Sequence, residues 1–287
     1  MKKIIAILLA ALMVLSFAAC ALNKQNTTEE AQQDTSGTSA KAETDYSDLA
    51  KSISLTKEEY GIGCRKDSNL TDQLNVYIDE LMKDGTLKKL SEKYNIALAD
   101  VAQDSASADK IAEDGDLAYI KNKGTLIVGI TDYEPMDFKD ANGKWTGFDA
   151  EFAEAVAKKM GVKVEFIEID WDNKFLELQT KAIDCVWNGM TITDEVKLNT
   201  NCTKAYAKNE QVVVVKADKA ASIKSVDDLK DLSFAVETGS AGESAAKDNG
   251  LKATPVQTQT NALLEVKAGS ADACIIDSTM ADSMLSK

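Results

Sequence analysis

The sequence predicts an α/β protein of two lobes, each built on a mostly parallel sheet flanked by helices. Over residues 117–287, short apolar runs typical of buried strands alternate with segments of helical periodicity. This alternation starts afresh near residue 217, which divides the body into two units. The chain of 287 residues is long enough to bury a core in each. We therefore predict lobe 1 over residues 117–216 and lobe 2 over residues 217–287.

The first unit reads as strand, helix, strand, helix and two further strands. "TLIVGI" is short and apolar, and "DAEFAEAVAKKM" places Phe152, Val156 and Met160 on one helical face before Gly161 ends the helix. "VKVEFIEI", "IDCVW" and "QVVVVK" are the other predicted strands, and "DNKFLELQTKA" is the other helix.

The second unit repeats the alternation. It begins with "SVDDLKDL"; "SFAVETG", "TPVQTQT" and "DACIID" are predicted strands, and "AGESAAKDNG" and "NALLEVKAG" are predicted helices. Ligands of such sheets bind at the carboxyl ends of strands and in clefts between lobes. We expect a binding site there.

A separate block, residues 46–95, precedes the body. It holds the strand-like stretches "KSISL" and "YGIGCR" and two helices. The first helix aligns five apolar residues, namely Leu74, Tyr77, Ile78, Leu81 and Met82. A block this short is marginal on its own, so we expect it to pack on the body. We predict that residues 46–65 form lobe 2 strands and a hinge strand, and that residues 66–97 form helices of lobe 1.

The N-terminus has the composition of an export signal. Two lysines precede an apolar run that ends at Cys20, and "FAAC" resembles a bacterial lipobox in which the cysteine is lipidated. We predict a lipoprotein signal peptide over residues 1–20; an uncleaved membrane anchor is the alternative. Residues 21–45 are polar and without periodicity, as in a disordered tether. Residues 98–116 are predicted to be a linker.

Composition excludes several classes of function. The formal net charge of −14 argues against nucleic-acid binding, which requires clustered Lys and Arg. No histidine occurs in the sequence, so His-dependent nucleophile pairs and most catalytic zinc sites are excluded. We expect no metal, no cofactor and no catalytic residues.

Four cysteines remain after Cys20: Cys64, Cys185, Cys202 and Cys274. An even number in an exported protein permits two disulfides. Three of them lie in apolar, strand-like runs, which favours buried thiols.

The body resembles a known family of proteins. The resemblance is carried by "GTLIVGITDYEPMDF", "GFDAEFAEAVAKKMG", "IDWDNKFLELQTKAIDCVWNGMTITDE", "DLKDLSFAVETGSAGESAA" and "AGSADACIID". Taken together, these motifs are similar to those of the family-3 solute-binding proteins of polar amino-acid ABC transporters. The resemblance implies the type II periplasmic-binding fold, an amino-acid ligand, an ABC permease as partner, and a lipid-anchored location on the outer face of the membrane.

The motif order differs from that of the family. "YGIGCRKDSNLTDQLNVYIDELMKDGTLKKLSEKYN" resembles the family's C-terminal end, yet it lies near the beginning of this chain. We interpret this order as a circular permutation, in which residues 98–116 join the old termini and the new ends lie at Lys287 and about Tyr46. The alternative is that this block is a relic that plays no part in folding the chain.

The resemblance also implies the ligand site. Asp277 matches the aspartate that meets the ligand's α-ammonium, and Tyr133, Trp171 and Trp187 lie where aromatic or apolar walls hold its side chain. Core packing is the alternative for Trp171 and Trp187. The loop "NGMTIT" resembles the loop that holds the ligand's head; its candidate residues are Asn188, Gly189, Met190 and Thr191.

One expected feature of the site is absent. The family follows this loop with an arginine that binds the ligand carboxylate, but this chain has Val196 there, and its only arginine is Arg65. Three explanations are open, and we expect the first of them. Backbone amides of Gly239, Ser240 and Ala241 bind the carboxylate with Thr191; Lys197 or another lysine replaces the arginine; or the ligand lacks a carboxylate there.

Three functions fit this reading. The first is a solute-binding lipoprotein that closes two lobes about a hinge formed by "QVVVVK" and "YGIGCR". The second is a dehydratase-like enzyme on the same fold, for which Glu134, Asp137, Asp172 and Glu243 are the available acids and bases. The third is a ligand-sensing module. We expect the first.

Overall fold

A computed structural model describes residues 44–100, 102 and 111–286. The predicted signal peptide, the lipidation site Cys20 and residues 21–43 of the tether lie outside the described residues. Residues 101 and 103–110 of the predicted linker also lie outside them.

Strands and helices alternate along the described chain. The strands are β1 (Leu49–Tyr60), β2 (Gly63–Cys64), β3 (Thr125–Ile130), β4 (Phe138–Lys139), β5 (Trp145–Thr146), β6 (Lys163–Glu168), β7 (Cys185–Val186), β8 (Asn201–Cys202), β9 (Ala207–Lys216), β10 (Ser233–Glu237), β11 (Lys252–Val256) and β12 (Ala273–Asp277). The helices are α1 (Leu70–Lys83), α2 (Thr86–Tyr94), α3 (Gly115–Lys123), α4 (Phe148–Met160), α5 (Lys174–Gln179), α6 (Asp194–Asn199), α7 (Ala217–Ala220), α8 (Ala241–Asp248), α9 (Gln259–Ala268) and α10 (Ser278–Met284).

Two five-stranded sheets organise the fold, and they confirm the predicted two-lobed α/β class. Lobe 1 is the sheet β6-β3-β7-β2-β8 with helices α1 to α6, and lobe 2 is the sheet β1-β9-β12-β10-β11 with helices α7 to α10. Three neighbouring strands of each sheet are parallel, β6-β3-β7 and β11-β10-β12. The remaining pairings of each sheet are antiparallel. Each sheet is therefore mixed, with a parallel half from its alternating strand and helix units.

The block 46–95 lies within both lobes. β1 pairs with β9 from Leu49 opposite Lys216 to Tyr60 opposite Ala207, as an edge strand of lobe 2. β2 lies between β7 and β8 in lobe 1. The helices α1 and α2 are tied to lobe 1 by polar contacts: Lys204 Nζ lies 2.8 Å from an Asp79 carboxylate oxygen, and Tyr94 donates to Glu151. The block is thus an integral part of the folded chain.

Within the described residues, the chain crosses between the lobes twice, at residues 61–62 and 203–206. The second crossing corrects the predicted boundary at 216/217, because β9 belongs to the lobe 2 sheet. It also corrects the predicted hinge: "QVVVVK" lies within β9, whereas "YGIGCR" does contain the first crossing. A buried apolar run shows that a strand is covered, but it does not show which sheet the strand joins.

Arg65 lies in lobe 1, away from the cleft between the lobes. Its guanidinium donates to Asp116 at 2.8 Å, to Asp184 at 3.3 Å and to the carbonyl of Ile183 at 2.6 Å. Asp184 is fully buried. The arginine therefore ties the segment that follows β2 to the segments around α3 and β7.

The four cysteines have free thiols, with Cys64, Cys185 and Cys274 buried and Cys202 half-buried. Cys64 and Cys185 face each other across β2 and β7. Burial raises the pKa of Cys64 to about 12, so its thiol stays protonated. Among the described residues, no group of three or more potential metal ligands is present. No helix in the described ranges has the length and hydropathy needed to cross a bilayer.

Candidate functional site

A cleft runs between the lobes at the carboxyl ends of the parallel strands. The lobes meet at its rim, where Gln257 donates to Asp170 at 3.0 Å and Ser283 donates to Glu134 at 3.3 Å. The residues that line the cleft are Tyr133, Trp171, Lys174, Asn188, Gly189, Met190, Thr191, Thr193, Glu195, Val196, Gly239, Ser240, Ala241, Ser244, Gln259 and Asp277.

Asp277 is the last residue of β12, and it is 5% exposed. Its carboxylate accepts hydrogen bonds from three side-chain amides, including Gln211 at 2.7 Å; Asn209 and Gln259 are the other two donors. Among the described residues, no lysine or arginine nitrogen lies within 4.0 Å of it. A buried carboxylate held only by neutral donors can receive a ligand ammonium.

A second carboxylate reinforces this negative charge. Glu58, on β1, accepts from Gln211 at 3.0 Å and from Asn209 at 3.2 Å, so the same two amides bridge it to Asp277. Burial raises the pKa of Asp277 to about 7, and the charge of Glu58 adds to the shift; the amide hydrogen bonds oppose it. Sequence reasoning missed Glu58, which lies on a strand more than two hundred residues away from Asp277.

We expect ligand binding at this carboxylate to depend on pH. An ammonium favours the ionised form, so below pH 7 binding must displace a proton, and affinity falls by up to about tenfold per pH unit. The stability of the unliganded protein changes in the opposite direction. The pKa of Asp277 in the folded state is above its unfolded value of about 3.9, so the contribution of Asp277 to the free energy of unfolding falls as pH rises from about 4 to 7. Calorimetric titration from pH 5 to 8 measures both the affinity and the released proton.

The predicted aromatic residues separate into two environments. Tyr133 and Trp171 line the cleft. Trp187 does not line it: it is 0% exposed and packs edge-on against Phe152, with ring centroids 4.6 Å apart. The prediction of Trp187 as a ligand-binding residue is therefore wrong, because its side chain points into the core of lobe 1, and the core-packing alternative holds.

The loop of residues 188–191 lines the cleft, but its side chains are anchored elsewhere. The Asn188 amide bonds to Thr131 and donates to Asp137 at 2.8 Å, so only its backbone is free for a ligand. The Gly189 N–H donates to Asp149 at 2.6 Å, and its φ of +53° suits glycine. Burial raises the pKa of Asp149 to about 7, and the hydrogen bonds from the Gly189 N–H and the Tyr206 hydroxyl oppose the shift.

Three of the four donors predicted to hold a carboxylate, those of Thr191, Gly239 and Ser240, already have partners. The Thr191 hydroxyl donates to Glu58 at 2.8 Å. In the turn before α8, the Gly239 N–H donates to Glu243 at 2.7 Å, and the Ser240 N–H points at the Glu237 carbonyl at 3.3 Å. Ala241 lines the cleft as the first residue of α8. Binding an anion through the Gly239 and Ser240 amides would require both of these bonds to break.

The position of the missing arginine is apolar. Val196 lines the cleft and packs with Trp171, Met190 and neighbouring apolar residues. The Lys197 side chain is 61% exposed and lies near Asp194, outside the cleft lining. Lys174 is the only lysine or arginine that lines the cleft in the described part of the chain. Sequence reasoning missed five lining residues: Lys174, Thr193, Glu195, Ser244 and Gln259.

None of the four acids considered for catalysis lines the cleft. Asp137 is fully buried and bonded to Asn188, and Glu243 caps the Gly239 N–H. Burial and the charge of Asp149 raise the pKa of Asp137 well above its usual value. Asp137 and Glu243 therefore support the structure around the site.

Comparisons with known proteins identify a family. Residues 126–241 match the model of the bacterial extracellular solute-binding proteins, family 3. The L-cystine-binding protein TcyJ of Escherichia coli (strain K12) is 32% identical over 184 residues, which are 63% of this chain and 69% of that protein.

Solved structures agree with this match. The ancestral amino-acid-binding protein AncCDT-1, described as a precursor of cyclohexadienyl dehydratase, is 43% identical with a TM-score of 0.55, over 57% of this chain and 74% of that chain. The arginine-bound form of truncated ArgBP from T. maritima is 35% identical with a TM-score of 0.56, over 59% of this chain and 81% of that chain. The chain therefore belongs to the family-3 bacterial extracellular solute-binding proteins.

Proposed function

We propose that this protein captures a free amino acid between its two lobes and delivers it to the permease of an ABC importer. Relatives that bind L-cystine and arginine support an amino-acid ligand. The observation that carries the proposal is Asp277: a buried carboxylate at the end of a lobe 2 strand that lines the cleft and accepts hydrogen bonds from neutral side chains. Such a group binds an α-ammonium well because the closed cleft excludes water.

The proposed ligand pose uses both lobes. The ammonium lies against Asp277 in lobe 2, and the ligand side chain lies against Tyr133 and Trp171 in lobe 1. A solute held in this way favours the closed arrangement over an open one, because only the closed form offers both sets of contacts. The permease can then distinguish loaded from empty protein.

We propose further that the protein is held at the outer face of the membrane by a lipid on Cys20. The lipobox-like "FAAC" supports this. Labelling with a radioactive fatty acid in a bacterial host tests it: Cys20→Ser should abolish the label, and a label that persists in this variant would exclude lipidation at Cys20.

A binding role is favoured over catalysis by the position of the acids described above, since none of the four lines the cleft. The AncCDT-1 relative is itself described as an amino-acid-binding protein. General acid–base catalysis requires a group within hydrogen-bonding reach of the reacting atom.

A thermal-shift screen against the twenty amino acids, L-cystine, simple amines and dipeptides tests the proposal. A ligand that binds only the folded form at one hundred times its Kd stabilises it by about 2.7 kcal/mol, which raises Tm. We expect a shift with at least one free amino acid. No shift with any of them would reject the amino-acid proposal, and chemical conversion of a bound ligand, followed by mass spectrometry, would show an enzyme instead.

We propose also that the site is assembled by a circular permutation. Sequential superposition covers 57–59% of this chain but 74–81% of the two solved relatives, as expected if a C-terminal part of the relatives corresponds to residues 46–95 here. The ion pair between Lys51 and Asp282 supports a short distance between the ends of α10 and β1.

A rearranged chain tests the permutation. We expect a protein that runs from residue 112 to residue 286 and continues through a short Gly-Ser linker into residues 45–97 to fold and bind like the original. Circular dichroism and the thermal-shift screen measure this. A chain that lacks residues 45–97 is the control and should not fold; folding of the control, or failure of the rearranged chain to bind, would contradict the proposal.

A further inference from the structure

Lys174 is a buried cation at the cleft. It is the first residue of α5 and is 4% exposed, and it follows a 3-10 turn, Trp171–Asn173. A lysine at a helix start is normally solvated. Here the turn directs the side chain across the cleft towards lobe 2.

The contacts of the ammonium are uncharged. Nζ donates to the carbonyl of Gly239 in lobe 2 at 2.9 Å and to that of Trp171 at 3.2 Å. The rings of Trp171 and Phe175 lie with their centroids 4.9 and 4.8 Å away. An ammonium has three N–H donors, so one remains after the two carbonyls.

No carboxylate neutralises this charge at short range. Throughout residues 44–100, 102 and 111–286, no carboxylate oxygen lies within 4.0 Å of Lys174 Nζ. The acids around it act only from further away; they are Glu195, Glu237, Asp172 and Glu243. Burial dominates and lowers the pKa of Lys174. An anionic ligand group would restore the charged form.

Most of the other anion donors predicted for the cleft are unsuitable or engaged. Val196 is apolar, Lys197 is exposed, and Thr191 and Gly239 donate to Glu58 and Glu243. Lys174 lines the cleft that also contains Asp277. A zwitterion would therefore meet a carboxylate and an ammonium in the same cleft.

We propose that Lys174 binds the carboxylate of the ligand and that it makes the protein selective for amino acids over the corresponding amines. Lys174 would thus replace the arginine that is absent from the described lining of the cleft. This inference rests on the proposed function. Lys174 also links the lobes through Gly239, so carboxylate binding and closure involve the same side chain.

Matched pairs of probes test the inference. L-arginine is compared with agmatine, and L-cystine with cystamine; each pair differs only in carboxylate groups. Isothermal titration calorimetry measures the affinities. For whichever pair the wild-type protein binds, we expect its affinity for the amino acid to be at least about tenfold higher than its affinity for the amine. We expect Lys174→Met to weaken binding of the amino acid by about 30-fold or more. Its affinity for the amine should stay within about threefold of the wild-type affinity.

Two further variants separate the possible roles of Lys174. Val196→Arg, added to Lys174→Met, should recover most of the amino-acid affinity, and Lys197→Met should bind like the wild type. A lysine that served only to link the lobes would give equal losses for the amino acid and the amine, and this would overturn the inference.

The wild-type measurement stands even if Lys174→Met does not fold. A wild-type protein that binds the amine as tightly as the amino acid overturns the inference and leaves amino-acid capture intact. A wild-type protein that binds neither of these amino acids, nor any amino acid of the screen, rejects the proposed function and the inference together.

Discussion

Replacing Asp277 with Asn is expected to raise the Kd of the amino-acid ligand by about 30-fold or more. Removing one partner of a buried, hydrogen-bonded charge pair costs about 2–5 kcal/mol, and each 1.4 kcal/mol is a factor of about ten in affinity. Asn keeps the shape of the side chain but cannot carry the charge that pairs with the ammonium. Isothermal titration calorimetry at pH 8 measures the effect with the wild-type carboxylate ionised.

The same substitution has two opposing effects on the stability of the unliganded protein at this pH. Removal of one of two neighbouring carboxylates relieves their repulsion, whereas the new amide N–H₂ group faces an amide donor that Asp277 accepts from, and the loss of that hydrogen bond costs about 1 kcal/mol. We therefore expect Tm of Asp277→Asn to stay within about 4 °C of the wild-type value. Asp282→Asn is the matched control, because Asp282 lies on α10, its side chain is 52% exposed and it pairs with Lys51. Equal affinities for the two variants would place the ammonium elsewhere.

Replacing Arg65 with Met is expected to cost about 3–5 kcal/mol of stability, the range for breaking a buried ion pair by removing one partner. The variant leaves Asp184 fully buried without its guanidinium, although Lys123 still lies 2.7 Å from it. It also leaves the Ile183 carbonyl without its 2.6 Å donor. For a chain of this size, Tm should fall by about 6–20 °C. Thermal and urea denaturation measure the loss.

Ligand affinity should be unchanged in folded Arg65→Met, because Arg65 does not line the cleft. The adjacent Lys66→Met is the control. The Lys66 ammonium donates to the Lys197 carbonyl at the exposed surface, and substitution of a surface residue usually changes the free energy of unfolding by no more than about 0.5 kcal/mol. A variant with wild-type Tm and reduced affinity would show that Arg65 serves the ligand rather than the structure.

Much of the fold could be predicted because local signals agree with it. Gly161 ends α4 with a φ of +76°, and the helical face of Phe152 and Val156 is buried. The boundary between lobes could not be predicted, because the apolar run of β9, residues 212–215, does not show which sheet the strand joins, and its partner β1 lies near the start of the chain. Local sequence patterns do not show which strands distant in the chain pair with each other.

The site was predicted unevenly for a similar reason. Tyr133, Trp171 and Asp277 were placed by motif and do line the cleft, whereas Trp187 faces the core. The position of a residue just after a strand does not show whether its side chain faces the cleft or the core of the lobe. Lys174 was missed because a lysine at a helix start has the pattern of a solvated residue, and only the turn before it brings the ammonium into the cleft.

The pairing of β1 with β9 has a consequence for how this chain folds during synthesis. Leu49 pairs with Lys216, so residues made early must wait for partners made much later. β2 likewise lies between two strands that are translated after it, so neither sheet can be completed from the N-terminus onward. Such high contact order slows folding, and apolar edges stay exposed in the meantime. β1 and β2 are the first of the described strands to be translated and are among the last to pair, so the chain stays longer in the unfolded state that chaperones recognise.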